Sequence, residues 1–483
     1  MSKIRRALVF SILTQHSIQI ISLISIATIA RLLKPAEIGT YAVASSLIFL
    51  AIEIRTLGAG QYLVRESQIN DQKIRSASGL MVLMSWSLAA VIAILAPVIA
   101  GFYEEPAIAH ILWITSPIFL IAPFSSISAS LLNRNMDFHK LFVVKITSNA
   151  LSTIGTISLI LLGFSYYALA LGALSMAVIE FLLLLHYRPT GAPWLPSFSH
   201  MREIVRFGLF ASGGNMLQQF TPNIPSLVLG KVSSMADVGM FSRGLGAIVF
   251  LNRMFLLAIK PVILPHLASV KRENECVAEA YLKAIVLQAA FCMPLFAVVN
   301  LAVYPMIRAL FGDQWDAAVP IASILSIWAF FQSVHYFSGD ALIAVKKESI
   351  MFTKELLMFV VRLVSILVAS PYGLHVLAWA MVLSSVVDLL INMWAVKKGL
   401  GLGVLRTIRA LMPTLMLTAI CWLSLFFLTS NFDVTAYNPW ISLSVIGVYM
   451  TLVWLLFLRL FNYEAWSIIL NFLQPLIPAR GKK

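Results

Sequence analysis

The sequence predicts an all-α polytopic membrane protein of about fourteen transmembrane helices. We expect two parallel, pseudo-symmetric six-helix lobes around a central cavity, followed by two C-terminal helices. Of the 483 residues, 60% are hydrophobic and 12% are charged, which is more apolar surface than a soluble core buries. The apolar stretches do not alternate as barrel strands do, so helices are favoured. An internal repeat and an asymmetric distribution of cations provide the other two observations.

Hydropathy places the spans in order along the chain, with boundary errors of a few residues. The first six lie near 7–30, 36–58, 77–101, 108–131, 140–162 and 165–187. The second six lie near 204–230, 236–258, 278–304, 317–338, 351–370 and 373–396, and two more lie near 410–429 and 439–461. We therefore predict an N-terminal lobe over 1–200, a C-terminal lobe over 201–400, and two further helices with a basic tail over 401–483.

The two lobes are inferred from a repeat at an offset of 200 residues. Residues 206–241 match residues 6–41 without a gap. Identical pairs include Arg6 with Arg206, Phe10 with Phe210, Gln19 with Gln219, and Gly39 with Gly239. Because each lobe holds an even number of helices, both enter the membrane in the same sense and the repeat is parallel. Transporters of this plan bind their substrate between the lobes, which predicts the central cavity.

The positions of lysine and arginine orient the helices. With a cytoplasmic N-terminus, the even-numbered connections are cytoplasmic and basic, and they include Lys73, Arg75, Arg134, Lys140, Arg188, Arg202, Lys271, Arg272, Lys346, Lys347, Lys397 and Lys398. The odd-numbered connections carry Glu104, Glu105, Asp313, Asp316 and Asp433. This positive-inside pattern accounts for the net charge of +14 and predicts that both termini are cytoplasmic. We expect no nucleic-acid partner, since the cations lie in short loops between apolar spans.

A short motif begins the second helix of each lobe. It reads KPAEIGTY over 34–41 and SMADVGMF over 234–241. Pro35 suits the first helical position, and Ser234 with Asp237 has the spacing of a capping box. Gly39 and Gly239 allow a close approach of helices. We interpret this motif as structural and not as a ligand site.

The stretch RLLKPAEIGTYAVASSLIFLAIEIRTLGAGQYLVRES (31–67) resembles the first helix pair of oligosaccharide flippases of the polysaccharide-export family, the Wzx-type proteins. ILPHLASVKREN (263–274) resembles that family's proline-containing cytoplasmic turn. The resemblance implies the fold of the superfamily that also holds multidrug antiporters and the lipid II flippase, with the first two helices of each lobe lining the cavity. It implies translocation of an undecaprenyl-pyrophosphate-linked oligosaccharide across the bacterial inner membrane by alternating access, for surface polysaccharide synthesis. Expected partners are this substrate, membrane lipids and the polysaccharide polymerase machinery.

Amide side chains are the first candidates for substrate binding. Gln15 and Gln19 fall on one face of the first helix. Asn215 and Gln219 occupy the same places in the seventh helix, with Gln218 nearby. An unpaired amide facing lipid is costly, so these side chains face another helix or water. We predict a cavity wall suited to sugar hydroxyls, and hydrogen bonding between helices stays the alternative.

Charged side chains in the cavity helices are the second set of candidates. They are Arg31, Glu53, Arg55, Lys231, Arg243 and Arg253. Arg243 lies about two turns into its helix, where a side chain does not easily reach the surface, so it is the preferred pyrophosphate ligand. Arg55 and Arg253 bind the head group or extend to the cytoplasmic surface. Arg31 and Lys231, at the outer mouth, either anchor their helices or release the anionic head group.

Other ionisable residues lie farther from the expected cavity. Glu355 and Arg362 are seven residues apart on one helix face, which suggests a link through a neighbouring helix. Glu180 or Asp388 could carry a coupling proton, although structural pairing is the more ordinary role. We expect no cofactor, with possible coupling to a proton or sodium gradient. The sequence shows no nucleophile constellation, metal spacing or phosphate loop, so we do not expect an enzyme.

An antiporter and a membrane glycosyltransferase or polymerase are the two alternative functions. A multidrug or cation antiporter on the same fold would need an acidic residue deep in the cavity helices, and only Glu53 is available, near a helix end. A membrane glycosyltransferase or polysaccharide polymerase would need an extended external loop, and every predicted loop is short. The flippase is therefore the leading hypothesis.

Overall fold

The computed structural model describes residues 3–56, 59–66, 69–189, 191–193, 195–199, 201, 204–205, 217, 219–433 and 436–460. Every regular element in these residues is helical. Eleven of the helices are long and apolar enough to cross a membrane. The all-α, multi-pass class is therefore confirmed.

The first compact unit comprises Met1–Ser242. Its helices are α1 (Lys3–Leu32), α2 (Pro35–Thr56), α3 (Ala59–Arg65), α4 (Asp71–Tyr103), α5 (Pro106–Thr115), α6 (Pro117–Arg134), α7 (Phe138–Leu161), α8 (Tyr167–His186) and α9 (Ile224–Val232). Helix α1 packs mainly on α7, which also packs on α8. Helices α4, α5 and α6 form a second group, and α9 lies against α2.

The second compact unit comprises Arg243–Lys483, and the boundary falls inside α10. Its helices are α10 (Met235–Arg272), α11 (Val277–Phe311), α12 (Val319–Gln332), α13 (Ser338–Ala344), α14 (Glu348–Ala369), α15 (Leu374–Leu400), α16 (Val404–Asn431) and α17 (Pro439–Leu460). Helix α11 is central, since α12, α16 and α17 all pack on it. Helix α15 packs on both α12 and α14.

Three of the predicted fourteen spans are not among the eleven. In the seventh, residues 206–216 and 218 lie outside the described residues. Helix α10 occupies the position of the eighth, and α14 that of the eleventh. Helix α14 is not apolar enough to be counted among the eleven, because it carries the charged residues Glu348, Lys354, Glu355 and Arg362. The number fourteen thus stays a prediction.

The predicted fourth span is a single helix in the sequence, but the structure divides it. Helix α5 ends at Thr115 and α6 begins at Pro117. Proline lacks the N–H that would continue the hydrogen-bond ladder, and its ring crowds the preceding turn. The predicted tenth span differs similarly: a 3₁₀ turn over Asp313–Ala318 precedes α12, which ends at Gln332.

In the first unit, alternate connections lie at the same end. At one end, Lys73 Nζ lies 2.6 Å from Glu66 Oε1, Arg134 Nη1 donates to the Leu63 carbonyl at 2.9 Å, and Ser197 N donates to the Arg75 carbonyl at 2.9 Å. These contacts join the second, fourth and sixth connections. The grouping that the charge pattern predicts for the even-numbered loops is therefore present in this unit.

We expect Gly172→Ala to destabilise the α7–α8 packing. A Cβ at Gly172 would overlap Thr156 Oγ1 and lie 3.2 Å from Thr156 Cβ. Such overpacking costs about 1–3 kcal/mol, which should lower the thermal unfolding midpoint in detergent. The matched control is Gly155→Ala on α7, where a Cβ meets no heavy atom within 4 Å among the described residues. Equal midpoints for the two variants would contradict this account of the packing.

Candidate functional site

The two copies of the repeated motif begin α2 and α10 with the expected caps. The Lys34 backbone N–H donates to Glu37 Oε2 at 2.7 Å. At the second copy, Asp237 N donates to Ser234 Oγ at 3.2 Å while Ser234 N donates to Asp237 Oδ2 at 3.3 Å. This reciprocal pair is a capping box, which satisfies N–H groups that a helix start leaves unpaired. The capping prediction is confirmed.

The two motif glycines lie against each other's helix. A Cβ on Gly39 would overlap the Met235 carbonyl oxygen and lie 2.9 Å from Gly239 N. A Cβ on Gly239 would overlap the Pro35 carbonyl oxygen and lie 3.2 Å from Pro35 Cα. The first turns of α2 and α10 therefore pack main chain to main chain, in a contact that only glycine permits. The predicted close approach is confirmed, and each glycine's partner is the other copy of the motif.

Further contacts surround this glycine contact. Tyr103 donates its hydroxyl to the Leu227 carbonyl at 3.2 Å, and Lys231 Nζ lies 2.9 Å from Glu104 Oε1. The hydrogen bond from Lys231, with its charge, holds the pKa of Glu104 below its usual range. The pair is thus present at neutral pH and is lost as pH falls through that lowered pKa. In the orientation predicted from the charge pattern, which stays a prediction, this end faces away from the cytoplasm. We call Gly39, Gly239, Tyr103 and the Lys231–Glu104 pair the outer contact.

The predicted amides are only partly described. Gln15 is exposed on α1 and Gln19 is half-buried. Gln219 is exposed, and its carbonyl accepts from Asn223 Nδ2 at 3.2 Å. Asn215 and Gln218 lie outside the described residues. Gln15 and Gln219 are therefore not enclosed between helices, and their role in binding stays a prediction.

Arg243 is held by aromatic rings. Its Cζ lies 6.0 Å from the Phe311 ring centroid and 5.9 Å from that of Trp315, which is fully buried. The Arg243 Nε is buried and has no hydrogen-bond partner within the described part of the chain. The rings hold the guanidinium in place, and the role of Arg243 as a pyrophosphate ligand stays a prediction.

The remaining predicted charges occupy different environments. Arg55 ends α2, and its Nε is buried without a hydrogen-bond partner among the described residues. The negative charges of Glu180 and Glu53 both act on it. Arg253 is exposed, as its alternative role at the surface requires, and Arg31 is exposed at the last turn of α1. Their contribution to substrate binding stays a prediction.

The structure shows ion pairs that sequence reasoning did not assign. Lys145 Nζ lies 2.7 Å from Glu180 Oε1. In the second unit, Arg362 Nε lies 2.6 Å from Asp388 Oδ2 on α15, and the adjacent residues Lys354 and Glu355 form a buried pair. The sequence suggested that Glu355 and Arg362 are linked through a neighbouring helix. Arg362 does pair with the neighbouring helix through Asp388, whereas the ion pair of Glu355 is with Lys354 on its own helix. The signal missed was Lys354, an intramembrane cation beside Glu355.

We expect Gly39→Ala and Gly239→Ala to separate the outer contact, because the added methyl overlaps a carbonyl oxygen at a cost of about 1–3 kcal/mol. Replacing Glu104 and Lys231 by cysteine, with Cys276, Cys292 and Cys421 changed to alanine, allows cross-linking by a short bifunctional thiol reagent. The yield should fall in both glycine variants. Gly101→Ala is the control at the same end, since a Cβ there meets no described heavy atom within 4 Å. Unchanged yield in all three would contradict the contact.

Comparisons with known proteins agree with this architecture. A family described as "Polysaccharide biosynthesis protein" matches residues 28–320, more than half of the chain. The teichuronic acid biosynthesis protein TuaB of Bacillus subtilis (strain 168) is 23% identical over 420 residues, covering 83% of this chain and 84% of that protein. The lipopolysaccharide biosynthesis protein WzxC of Escherichia coli (strain K12) is 19% identical over 336 residues, covering 69% of this chain and 68% of that protein.

Two solved structures share the fold. The lipid II flippase MurJ in an inward closed conformation has a TM-score of 0.75 at 16% identity, covering 95% of this chain and 99% of that one. An inward-facing multidrug resistance MATE transporter has a TM-score of 0.64 at 14% identity, covering 79% of this chain and 94% of that one. The match over residues 28–320 gives the family: this chain is a member of the polysaccharide biosynthesis protein family.

Proposed function

We propose that this protein is a flippase that moves an undecaprenyl-pyrophosphate-linked oligosaccharide across the bacterial inner membrane for surface polysaccharide synthesis. The relatives' names support a role in polysaccharide biosynthesis, and one relative of Rhizobium meliloti (strain 1021) is named a succinoglycan biosynthesis transport protein. The observation that carries the proposal is Arg243, whose guanidinium lies against aromatic rings and whose buried Nε has no hydrogen-bond partner among the described residues. Such a group suits a pyrophosphate in a low-dielectric site.

The proposed mechanism is alternating access. The cavity opens toward the cytoplasm while the outer contact is closed, Arg243 binds the pyrophosphate, and the amides Gln15, Gln19 and Gln219 bind sugar hydroxyls. Opening requires Gly39 and Gly239 to part. The head group then crosses without meeting hydrocarbon, and the lipid tail stays in the bilayer. The work is binding and conformational change, so we propose a transporter and not an enzyme.

Orientation and partners are part of the same proposal. Both termini are cytoplasmic, which the basic even-numbered connections support. Transport is coupled to a proton or sodium gradient, and the product is handed to polysaccharide polymerase machinery at the outer surface. The two lobe segments 1–200 and 201–400 follow the internal repeat, and 401–483 adds two helices and a basic tail.

A multidrug or cation antiporter is the second candidate, because a MATE transporter shares the fold. A cationic substrate needs an acidic partner in the cavity helices. Helices α1 and α2 offer Glu37, which caps the outer end of α2, and Glu53, near its other end. Resistance to cationic dyes conferred by this protein, with surface polysaccharide unchanged on gene deletion, would favour the antiporter.

Arg243→Ala should reduce export of surface polysaccharide in cells. The change removes charge-assisted hydrogen bonds worth about 1.5–3 kcal/mol, equivalent to roughly ten- to a hundredfold in affinity. Arg243→Lys should restore little, because a lysine neither stacks nor forks as arginine does. Arg406→Ala is the control, since Arg406 pairs with Glu279 in an exposed position. Normal export at normal protein levels in Arg243→Ala would remove that residue from the mechanism.

The proposed orientation predicts opposite labelling of two exposed positions. In a background without native cysteines, Tyr437→Cys between α16 and α17 should react with a membrane-impermeant maleimide in intact spheroplasts. Lys347→Cys, between α13 and α14, should react only after permeabilisation. The opposite labelling would place the termini outside.

A further inference from the structure

A cluster of four ionisable side chains lies between α14 and α15 in the second unit. Lys354 and Glu355 form an ion pair with only 3% and 5% of their side chains exposed. Arg362 Nε donates to Asp388 Oδ2 at 2.6 Å, with 17% and 3% exposed. Ionisable groups buried at membrane depth are costly and usually mark ion or proton pathways. We call these four residues the buried charge cluster.

The members of the cluster lie at different depths. Asp388 is near the middle of α15, a helix of 27 residues. Glu355 lies seven residues from the start of α14, about 10 Å along its axis at 1.5 Å per residue. That start is cytoplasmic in the proposed orientation. The carboxyl groups of Glu355 and Asp388 therefore lie at increasing depth from the cytoplasmic membrane surface.

Asp388 is satisfied on one side only. Its Oδ2 accepts from Arg362, while Oδ1 is buried and has no hydrogen-bond partner in the described residues. The charges of Glu355 and Lys354 also act on this carboxyl group. A bare, buried carboxylate oxygen is poorly stabilised as an anion. A proton can add to Oδ1 without displacing the Arg362 N–H from Oδ2.

The surroundings contain few competing groups. Helix α12, which packs on α15, has no titratable side chain. Helix α13 carries Asp340. His335 precedes α13 in the chain, and its Nδ1 lies 2.8 Å from the Tyr281 hydroxyl. The charge of Lys354 acts on the His335 ring. Asn392 Nδ2 donates at 2.9 Å to the main-chain carbonyl of Asp388, not to its carboxyl group, and this bond fixes the α15 main chain.

We propose that Asp388, with Glu355 as its relay, is the proton-binding site that couples transport to a proton gradient. The inference rests on the proposed function, since coupling needs a transported substrate. A proton from water on one side passes through the Glu355 carboxyl group to Asp388 Oδ1 and later leaves to water on the other side. At each transfer the donor's O–H bond breaks as the acceptor's O–H bond forms. The cluster changes from net zero to one positive charge, which weakens the Arg362–Asp388 pair and lets α14 shift against α15.

The same geometry argues against sodium. A sodium site needs several oxygen ligands around a vacant centre. In the buried charge cluster each carboxylate already faces a cation, Lys354 or Arg362. Adding a second cation there would place like charges side by side in a low-dielectric interior. A proton avoids this conflict, because it neutralises the carboxylate that binds it.

Infrared difference spectroscopy of the purified, reconstituted full chain tests the site without using export. Between about pH 5 and pH 9 the wild-type protein should show the C=O stretch of a buried, titrating carboxyl group. Asp388→Asn should abolish that band. Arg362→Gln, which removes the facing cation, should let the band persist to higher pH. Glu180→Gln is the matched control, because its carboxylate pairs with Lys145 at 2.7 Å in the corresponding helix pair.

Each outcome of the infrared experiment either supports or overturns Asp388 as the proton-binding site. Loss of the band in Asp388→Asn, with folding retained by size-exclusion profile, and its retention in Glu180→Gln support the site. No titrating band in wild type, or a band unaffected by Asp388→Asn and Arg362→Gln, overturns it. Should Asp388→Asn fail to fold, the shift in Arg362→Gln still decides. Normal polysaccharide export after gene deletion would overturn the flippase and leave the infrared result standing.

Discussion

The close approach of α2 and α10 is the constraint on which the outer end of the first unit depends. Each glycine touches a main-chain carbonyl of the opposite helix, so side chains at this point are excluded from both copies of the motif. The caps, the Tyr103 hydrogen bond and the Lys231–Glu104 pair are arranged around that approach. A Cβ at either glycine would overlap the opposite main chain and separate the two helix starts.

The outer contact is geometrically demanding but weakly cohesive. It combines main-chain packing with one exposed ion pair, and exposed pairs contribute little to stability. In the proposed transport cycle, opening this contact would need to offset only about a few kcal/mol. Large hydrophobic burial at the same place would favour one state too strongly for a transport cycle. Glycine therefore serves both requirements, exact fit when closed and low cohesion when opening.

Much of this architecture could be predicted from sequence because hydropathy, caps and the repeat are local signals. Gly39 and Gly239 were predicted to allow close packing, and they do. The sequence could not show that each would contact the other's motif, since that depends on how the helices pack. The division at Pro117 was also missed, because a proline is compatible with either a kinked helix or two helices. The partner of Arg362 depended on which side of α14 meets α15.

The two halves of the repeat have diverged in their buried charges. Helices α7 and α8 hold one ion pair, in which Lys145 is 36% exposed. Helices α14 and α15 hold two, with three of the four side chains at most 5% exposed. A repeat retained only for packing would have no reason to deepen the charges of one copy, since burying ions costs stability and hydrophobic replacements are often neutral or better. The deeper burial of the second set of charges is the difference on which the proposed proton-binding role of Asp388 rests.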